Sequence, residues 1–129
     1  MGTGSRVLHP SYRMPNTILI VDDHPAFRRA ARALLEAEGY EVVGESGTGR
    51  DALREAERLR PEVVLLDIGL PDINGIEVAD RLTAGDRAPA VVLTSSRDGA
   101  GCEEVFETCG ARGFIPKAEL SGDAIAALA

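Results

Sequence analysis

The sequence predicts an α/β fold built on a parallel sheet of five strands. From Thr17 onward, a short apolar run, a loop and an amphipathic helical segment follow one another five times. This alternation is typical of successive βα units, whose strands lie parallel. The chain has 129 residues, of which 44% are hydrophobic and 27% are charged, and this is enough for one globular domain with a single core.

The strands are predicted from runs of β-branched and aliphatic residues, at positions 17–21, 41–44, 63–66, 90–93 and 113–116. The run 63–66 is entirely apolar, as expected of a strand buried on both faces, whereas 41–44 is mixed and is predicted to lie at an edge. The first helix is predicted to stop at Gly39 and the second before Pro61. The last helix is predicted to start near Ser121.

The cysteines and histidines do not form a pattern that indicates redox or zinc chemistry. Cys102 and Cys109 lie seven residues apart on the predicted fourth helix, roughly 10 Å along its axis and too far for a disulfide. They fall on one apolar stripe, which favours core packing. His9 and His24 are far apart with no cysteine partner, so both are poor candidates for metal ligands.

The N-terminal segment, residues 1–15, contains two glycines, two prolines and no periodic apolar pattern. It is predicted to be a flexible leader or tag, with the folded domain at 16–129. The last helix is expected to be cut short at Ala129, after about two turns.

Charge and hydropathy limit the partners that the domain is expected to bind. The net charge is −7 and the isoelectric point is near 4.8, which argues against direct binding of nucleic acid. No apolar run approaches the roughly 18 residues that cross a membrane, and the first residues lack a signal peptide. The sequence therefore predicts a cytoplasmic domain without membrane contact.

Polar residues follow four of the five predicted strands: Asp22 and Asp23 after the first, Asp67 after the third, Thr94 after the fourth and Lys117 after the fifth. Because ligands bind beyond the carboxyl ends of parallel strands, we expect these side chains to meet at one edge of the sheet. Lys117 is also the only lysine among 14 basic residues. Its compact ammonium suits a small anionic site better than the wide guanidinium of arginine.

This set of side chains is suited to phosphoryl transfer. Clustered carboxylates remain ionised most easily beside a cation, and oxygen ligands predict Mg²⁺. Asp67, the central carboxylate, is then the candidate nucleophile toward phosphorus. The Lys117 ammonium and the Thr94 hydroxyl are candidates to contact the oxygens of the phosphoryl group.

Each of these residues also has a simpler structural interpretation. Asp22 or Asp23 could be a helix N-cap ahead of Pro25. Asp67 could initiate the turn that follows it, and Thr94 could cap the next helix. The occurrence of all of them at the same ends of different strands favours the functional interpretation.

The sequence resembles the receiver domain of bacterial response regulators over about residues 16–129. The resemblance is carried by segments 18–23, 65–72 and 113–117 and by Thr94 after a hydrophobic strand. The Asp-Asp-His-Pro run at 22–25 and the Pro-Lys-Ala-Glu-Leu run at 116–120 are similar to the NarL/LuxR-type subgroup. Receivers of that subgroup precede a helix-turn-helix DNA-binding domain.

The resemblance implies a doubly wound, flavodoxin-like sheet with strand order 2-1-3-4-5. The site residues that it implies are Asp67 as phospho-acceptor, Asp22, Asp23, Asp67 and the Gly69 backbone carbonyl as ligands of Mg²⁺, Thr94 and Lys117 as phosphoryl contacts, and Thr94 with Phe114 as the switch. It implies that a histidine kinase donates the phosphoryl group, and that the domain catalyses only its own phosphorylation and dephosphorylation. The switching surface would comprise the fourth helix, the fifth strand and the last helix, with homodimerisation through it and DNA contact only through a C-terminal domain absent from this chain.

The sequence also bears on three other functions. A phosphatase of the haloacid dehalogenase type would need a second aspartate two positions after Asp67, where Gly69 stands. A nucleotide-binding domain would need a phosphate loop, and the glycine-rich segment 44–50 lacks the Gly-Lys-Ser/Thr ending. An adaptor that has a receiver fold but never takes phosphate is compatible with the sequence.

Overall fold

A computed structural model of the chain describes residues 17–95 and 109–129. The strands are β1 (Thr17–Val21), β2 (Glu41–Ser46), β3 (Val63–Asp67), β4 (Ala90–Ser95) and β5 (Gly113–Pro116), and the helices are α1 (Pro25–Ala37), α2 (Gly49–Leu59), α3 (Gly75–Leu82), a 3-10 turn (Lys117–Glu119) and a C-terminal helix (Gly122–Leu128). All neighbouring strands pair in parallel, in the order β2-β1-β3-β4-β5. The expected fold class and strand order are confirmed. The predicted fourth helix lies outside the described residues except for Cys109, which is buried.

The sheet divides the apolar core into two layers. Successive residues of a strand point to opposite faces, so Leu19 and Leu66 pack with α2 and α3 in a first core layer. Ile18 and Leu65 pack with α1 and the C-terminal helix in a second core layer. The prediction of a single core is therefore wrong, because a sheet covered on both faces separates two apolar regions.

The ends of α1 are set by Pro25 and Gly39. Pro25 occupies the first turn, where its missing N–H is not needed for the helix. Gly39 follows the helix with a φ of 100°, a left-handed conformation that favours glycine, and the predicted stop is confirmed. Beyond it, the Tyr40 hydroxyl donates to the Gly122 carbonyl at 3.0 Å, and a Glu38 carboxylate oxygen accepts the Gly122 N–H. These bonds fasten the start of the C-terminal helix to the end of α1.

The described helices are short and amphipathic. The longest of them, α1, has 13 residues. α2 begins after Thr48, whose hydroxyl accepts the N–H of Asp51 at 3.1 Å as an N-cap. Across residues 17–95 and 109–129, no helix combines the length and the apolar character that crossing a bilayer requires.

The edge strand β2 extends two residues beyond its predicted end and reaches Ser46. Its pairing with β1 is irregular between Ile18 and Leu19, where a bulge accommodates one extra residue. The Ser46 carbonyl accepts the N–H of Asp22 at 2.9 Å. The prediction that this strand ends at 44 is therefore wrong, and β2 reaches the same edge as the acidic residues.

Candidate functional site

The carboxyl ends of the strands bring the predicted polar side chains to one edge of the sheet. Asp22 follows β1, Lys117 follows β5, and Asp67 and Thr94 lie opposite each other at the ends of β3 and β4. Asp22 and Thr94 are fully buried, and Asp67 is 4% exposed. Because two carboxylates are buried within this small region, their charged and hydrogen-bonding neighbours determine how easily they remain ionised.

Four side chains form a cluster that could hold a metal ion. Ligand atoms of Asp22, Asp23, His24 and Asp67 all lie within 4.8 Å of one another. His24 Nδ1 lies 2.9 Å from Asp22 Oδ1 and 3.2 Å from Asp23 Oδ1. From the sequence, His24 was predicted to be a poor metal ligand because His9 is far from it and no cysteine partner is in reach. Its position directly after two aspartates was the signal that could have identified it.

The oxygens of this cluster have few hydrogen-bond donors. Asp22 Oδ2, Asp23 Oδ1 and Thr94 Oγ1 are buried and form no hydrogen bond with any of the described residues. The two carboxylate oxygens have only ion-pair contacts, 2.6 Å from Asp22 Oδ2 to Lys117 Nζ and 3.2 Å from Asp23 Oδ1 to His24 Nδ1. Buried anionic oxygens whose only close polar partners are these ion-pair contacts fit a hard divalent cation, which is the group that such ligands prefer.

Lys117 is the ammonium that faces these carboxylates. Nζ lies 2.6 Å from Asp22 Oδ2 and 3.7 Å from Asp67 Oδ2, and the Lys117 side chain is 14% exposed. The same atom lies 4.5 Å from the centroid of the Phe27 ring. One ammonium offsets part of the charge of three carboxylates, so the cluster retains negative charge that attracts a cation.

Asp67 is buried at the end of the central strand. Burial is the largest influence on its carboxyl and raises the pKa, while the hydrogen bond from the Gly69 N–H, 3.1 Å to Oδ1, lowers it. The negative charge of Asp22 raises the pKa further, and the charge of Lys117 lowers it. The carboxylate is therefore poorly solvated, with few groups that stabilise its charge.

The simpler structural interpretations have different outcomes. The N-cap of α1 is His24, so neither Asp22 nor Asp23 caps this helix. Asp67 does accept the N–H of Gly69, so it takes part in the turn that was predicted for it. The helix that Thr94 was suggested to cap lies outside the described residues. The hydroxyl of Thr94 is buried beside Asp67 in the sheet.

Gly69 and Phe114, two other residues predicted for the site, lie in different parts of the structure. Gly69 contacts Asp67 through its backbone N–H, which brings the loop after β3 back over the carboxylate. Phe114, in β5, is partly buried and packs against the first core layer. In the pairing of β4 with β5 it is opposite Leu93, which is the residue before Thr94.

The sequence matches a known family along most of its length. The family model of the response regulator receiver domain matches residues 18–129. The chain belongs to the response regulator receiver family. The predicted resemblance is therefore confirmed, and the receiver is the part of the chain that contains the whole acidic site.

Two curated relatives of this receiver are transcription regulators by name. BvgA of Bordetella pertussis, a positive transcription regulator of virulence factors, is 42% identical over 107 residues, which cover 82% of this chain and 51% of BvgA. The transcriptional regulatory protein KdpE of Mycobacterium tuberculosis is 39% identical over 100 residues, which cover 78% of this chain and 43% of KdpE. The chain spans about half the length of these relatives.

Solved receivers of the predicted subgroup have the same fold. The signal receiver domain of the response regulator NarL from Mycobacterium tuberculosis has a TM-score of 0.78 and 29% identity, covering 90% of this chain and 98% of that one. A response regulator of the LuxR family from Aurantimonas sp. SI85-9A1 has a TM-score of 0.79 and 30% identity, covering 88% and 85%. The similarity to the NarL/LuxR-type subgroup is therefore confirmed.

Two further residues, Arg28 and Gly75, support the acidic site of this receiver, and neither was predicted from the sequence. Arg28 Nη1 donates to the backbone carbonyl of Asp22 at 2.6 Å, and Arg28 Nε donates to Glu45 at 3.1 Å. Gly75, at the start of α3, lies so close to the loop that an added Cβ would be 2.5 Å from the Asp67 carbonyl oxygen. The contacts of both residues depend on the fold, so no local sequence signal marks them.

Proposed function

We propose that this receiver accepts a phosphoryl group on Asp67 from a phosphohistidine of a partner histidine kinase. The observation that carries the proposal is the buried Asp67 carboxylate at the end of the central strand, with Lys117 Nζ 3.7 Å from Oδ2. An Asp67 oxygen forms a bond to phosphorus while the phosphorus–nitrogen bond breaks. The imidazole of the kinase leaves with the bonding electron pair.

The neighbouring side chains would stabilise the transferred group. The Lys117 ammonium neutralises charge on one phosphoryl oxygen, and the Thr94 hydroxyl donates to another. Thr94 is suited to this because its oxygen is buried next to Asp67 and has no hydrogen-bond partner among residues 17–95 and 109–129. Burial of Asp67 also keeps water away from the reacting atoms.

Asp22, Asp23 and Asp67, with the backbone carbonyl of Gly69, would hold Mg²⁺. The bound ion supplies positive charge beside the phosphoryl oxygens. Support for these ligands comes from the buried oxygens of Asp22 and Asp23, which have ion-pair contacts but form no hydrogen bond with the described residues.

The output of the receiver is proposed to be control of transcription. Phosphorylation would draw the Thr94 hydroxyl toward Asp67 and change the position of Phe114, which biases the surface that includes β5 and the C-terminal helix. A LuxR-type DNA-binding domain, and a homodimer through this surface, would use that change. The proposal is supported by the names of BvgA and KdpE and by the likeness to a LuxR-family regulator.

Intact-mass spectrometry after incubation with acetyl phosphate and Mg²⁺ tests the proposal. The expected result is a gain of one phosphoryl group, which is lost in Asp67→Asn and when Mg²⁺ is removed. No gain from acetyl phosphate or from a phosphorylated histidine kinase would contradict phosphorylation and favour the adaptor. Sustained hydrolysis of phosphate esters would instead favour the phosphatase.

A further inference from the structure

Lys117 has a neighbour that the phosphotransfer proposal leaves unused, which is the aromatic ring of Phe27. Nζ lies 4.5 Å from the ring centroid, within the range in which a ring face attracts a cation. Because the Lys117 side chain is only 14% exposed, water screens this attraction weakly. We propose that Phe27 is a positioning residue that holds the Lys117 ammonium over the acidic site, an inference that rests on the proposed contact between Lys117 and the phosphoryl group.

The need for such a residue follows from the unequal distances to the carboxylates. Lys117 Nζ is 2.6 Å from Asp22 Oδ2 but 3.7 Å from Asp67 Oδ2. With Asp22 as the sole close contact, the flexible lysine stem could turn about that carboxylate and carry the ammonium away from Asp67. The ring of Phe27 adds a third contact to the two carboxylates, and this contact keeps the ammonium over the acidic site.

A ring face also suits a cation that shifts when Asp67 becomes phosphorylated. A carboxylate accepts hydrogen bonds within a limited range of angles, whereas a ring attracts a cation across its whole face. The ammonium can therefore move from Asp22 toward a phosphoryl group on Asp67 without losing the ring. Phe27 stabilises the cation in both positions.

Phe27 keeps its own position independently of Lys117. It lies in the first turn of α1, directly after the segment that carries Asp22 and Asp23. It is partly buried and packs against the second core layer. The helix and the core therefore fix the ring, and the ring can in turn fix the lysine.

The single lysine of the chain allows a direct test by NMR. Selective ¹³C labelling of lysine gives signals from Lys117 alone. A ring face shields nearby protons, so we expect the ε-methylene signal of the wild type to lie upfield of that in Phe27→Leu. Phe27→Tyr retains the ring and should keep the upfield position. Leu35→Val, in the same helix and the second core layer, is the control for lost packing and should also keep it.

The second measurement is the initial rate of phosphorylation by acetyl phosphate. We expect Phe27→Leu to be slower by roughly three- to tenfold, the rate equivalent of one cation–π contact, with Phe27→Tyr and Leu35→Val near the wild-type rate. An unshifted ε-methylene signal in the wild type, or a wild-type rate in Phe27→Leu, would overturn the inference while leaving the proposed function intact. An equal loss of rate in Leu35→Val would also overturn it. A wild type that takes no phosphoryl group would overturn both proposals, whatever the NMR signal.

Discussion

The guanidinium of Arg28 donates a hydrogen bond of 2.6 Å to the backbone carbonyl oxygen of Asp22. A side chain of α1 thus holds the backbone of the residue that begins the acidic site. Glu45 accepts a second hydrogen bond from the same guanidinium, which ties the arrangement to β2. Groups that orient metal ligands contribute to affinity without touching the metal, and Asp22 is one of the proposed ligands.

We therefore predict that Arg28→Ala weakens Mg²⁺ binding by about tenfold, near the lower end of the range for residues that orient metal ligands. Isothermal titration calorimetry of the receiver with Mg²⁺ measures the change. Arg29→Ala is the matched control, since Arg29 is an exposed arginine of the same helix. Equal dissociation constants for Arg28→Ala and the wild type would show that this hydrogen bond does not orient Asp22.

Gly75→Ala should destabilise the receiver and disturb Asp67. A Cβ at this position would lie 2.5 Å from both the Asp67 carbonyl oxygen and the Ile68 Cα, and neither backbone atom can move without shifting the site. We expect the free energy of unfolding to fall by about 1–3 kcal/mol, as for other overpacked positions, and phosphorylation of Asp67 to slow. Urea unfolding and the acetyl phosphate assay measure the two effects.

Gly85→Ala is the control for that substitution. An added Cβ at Gly85 meets nothing within 4 Å in the described part of the chain, so its effect on the free energy of unfolding should be small. If Gly75→Ala and Gly85→Ala had the same stability, close approach to the backbone of Asp67 would not be the reason for the glycine.

Asp72 should make the stability of the receiver depend on pH in the acid range. Its carboxylate accepts the N–H of Gly49 at 2.7 Å and of Arg50 at 3.0 Å, and the bond from Gly49 is the main cause that lowers its pKa. A carboxyl whose pKa is lowered by folding contributes stability that is complete above its unfolded pKa of about 3.9 and is lost as pH falls through the folded pKa. We expect Asp72→Ala to lower the Tm at neutral pH, with the difference from the wild type vanishing in acid.

Thermal unfolding measured across this pH range checks the prediction. Asp86→Ala removes an exposed carboxylate from another part of the surface and should leave the Tm at neutral pH nearly unchanged. A constant difference between Asp72→Ala and the wild type at every pH would mean that the charge of Asp72 is not what stabilises the start of α2.

Lys117→Arg should impair phosphorylation although it preserves the positive charge. Lys117 Nζ reaches two carboxylates and one ring from a side chain that is 14% exposed, and a planar guanidinium needs more room than an ammonium. We expect the rate with acetyl phosphate to fall roughly tenfold or more, which corresponds to at least about 1.4 kcal/mol in the barrier. The exposed Arg29→Lys is the reverse exchange and should keep the wild-type rate. A wild-type rate in Lys117→Arg would show that charge alone is sufficient at this position.

The strands and the residues that follow them could be predicted because both depend on local pattern. β1 and β5 have the predicted bounds, since each is an apolar run followed directly by a polar residue. Asp22, Asp67 and Lys117 then meet because parallel strands end at the same edge. The end of β2 was less predictable, because a bulge and pairing with β1 extend the strand through Gly44 to Ser46.

The contacts that position the site could not be predicted from the sequence. Asp72 looks like a turn residue, yet its carboxylate binds the start of α2, 22 and 23 residues earlier in the chain. Phe27 looks like one apolar residue of an amphipathic helix, yet its ring lies beside the ammonium of Lys117. Such pairs depend on how helices cross the sheet and on side-chain direction, neither of which is encoded by a local pattern.

The two core layers have a consequence for how this receiver can vary. Leu19 in the first core layer and Ile18 in the second are neighbours in sequence but pack against different helices. Substitutions in opposite layers share few side-chain contacts, so their effects on the free energy of unfolding should add. A change of side-chain volume in one layer therefore calls for no matching change of volume in the other, and each layer can be redesigned by itself.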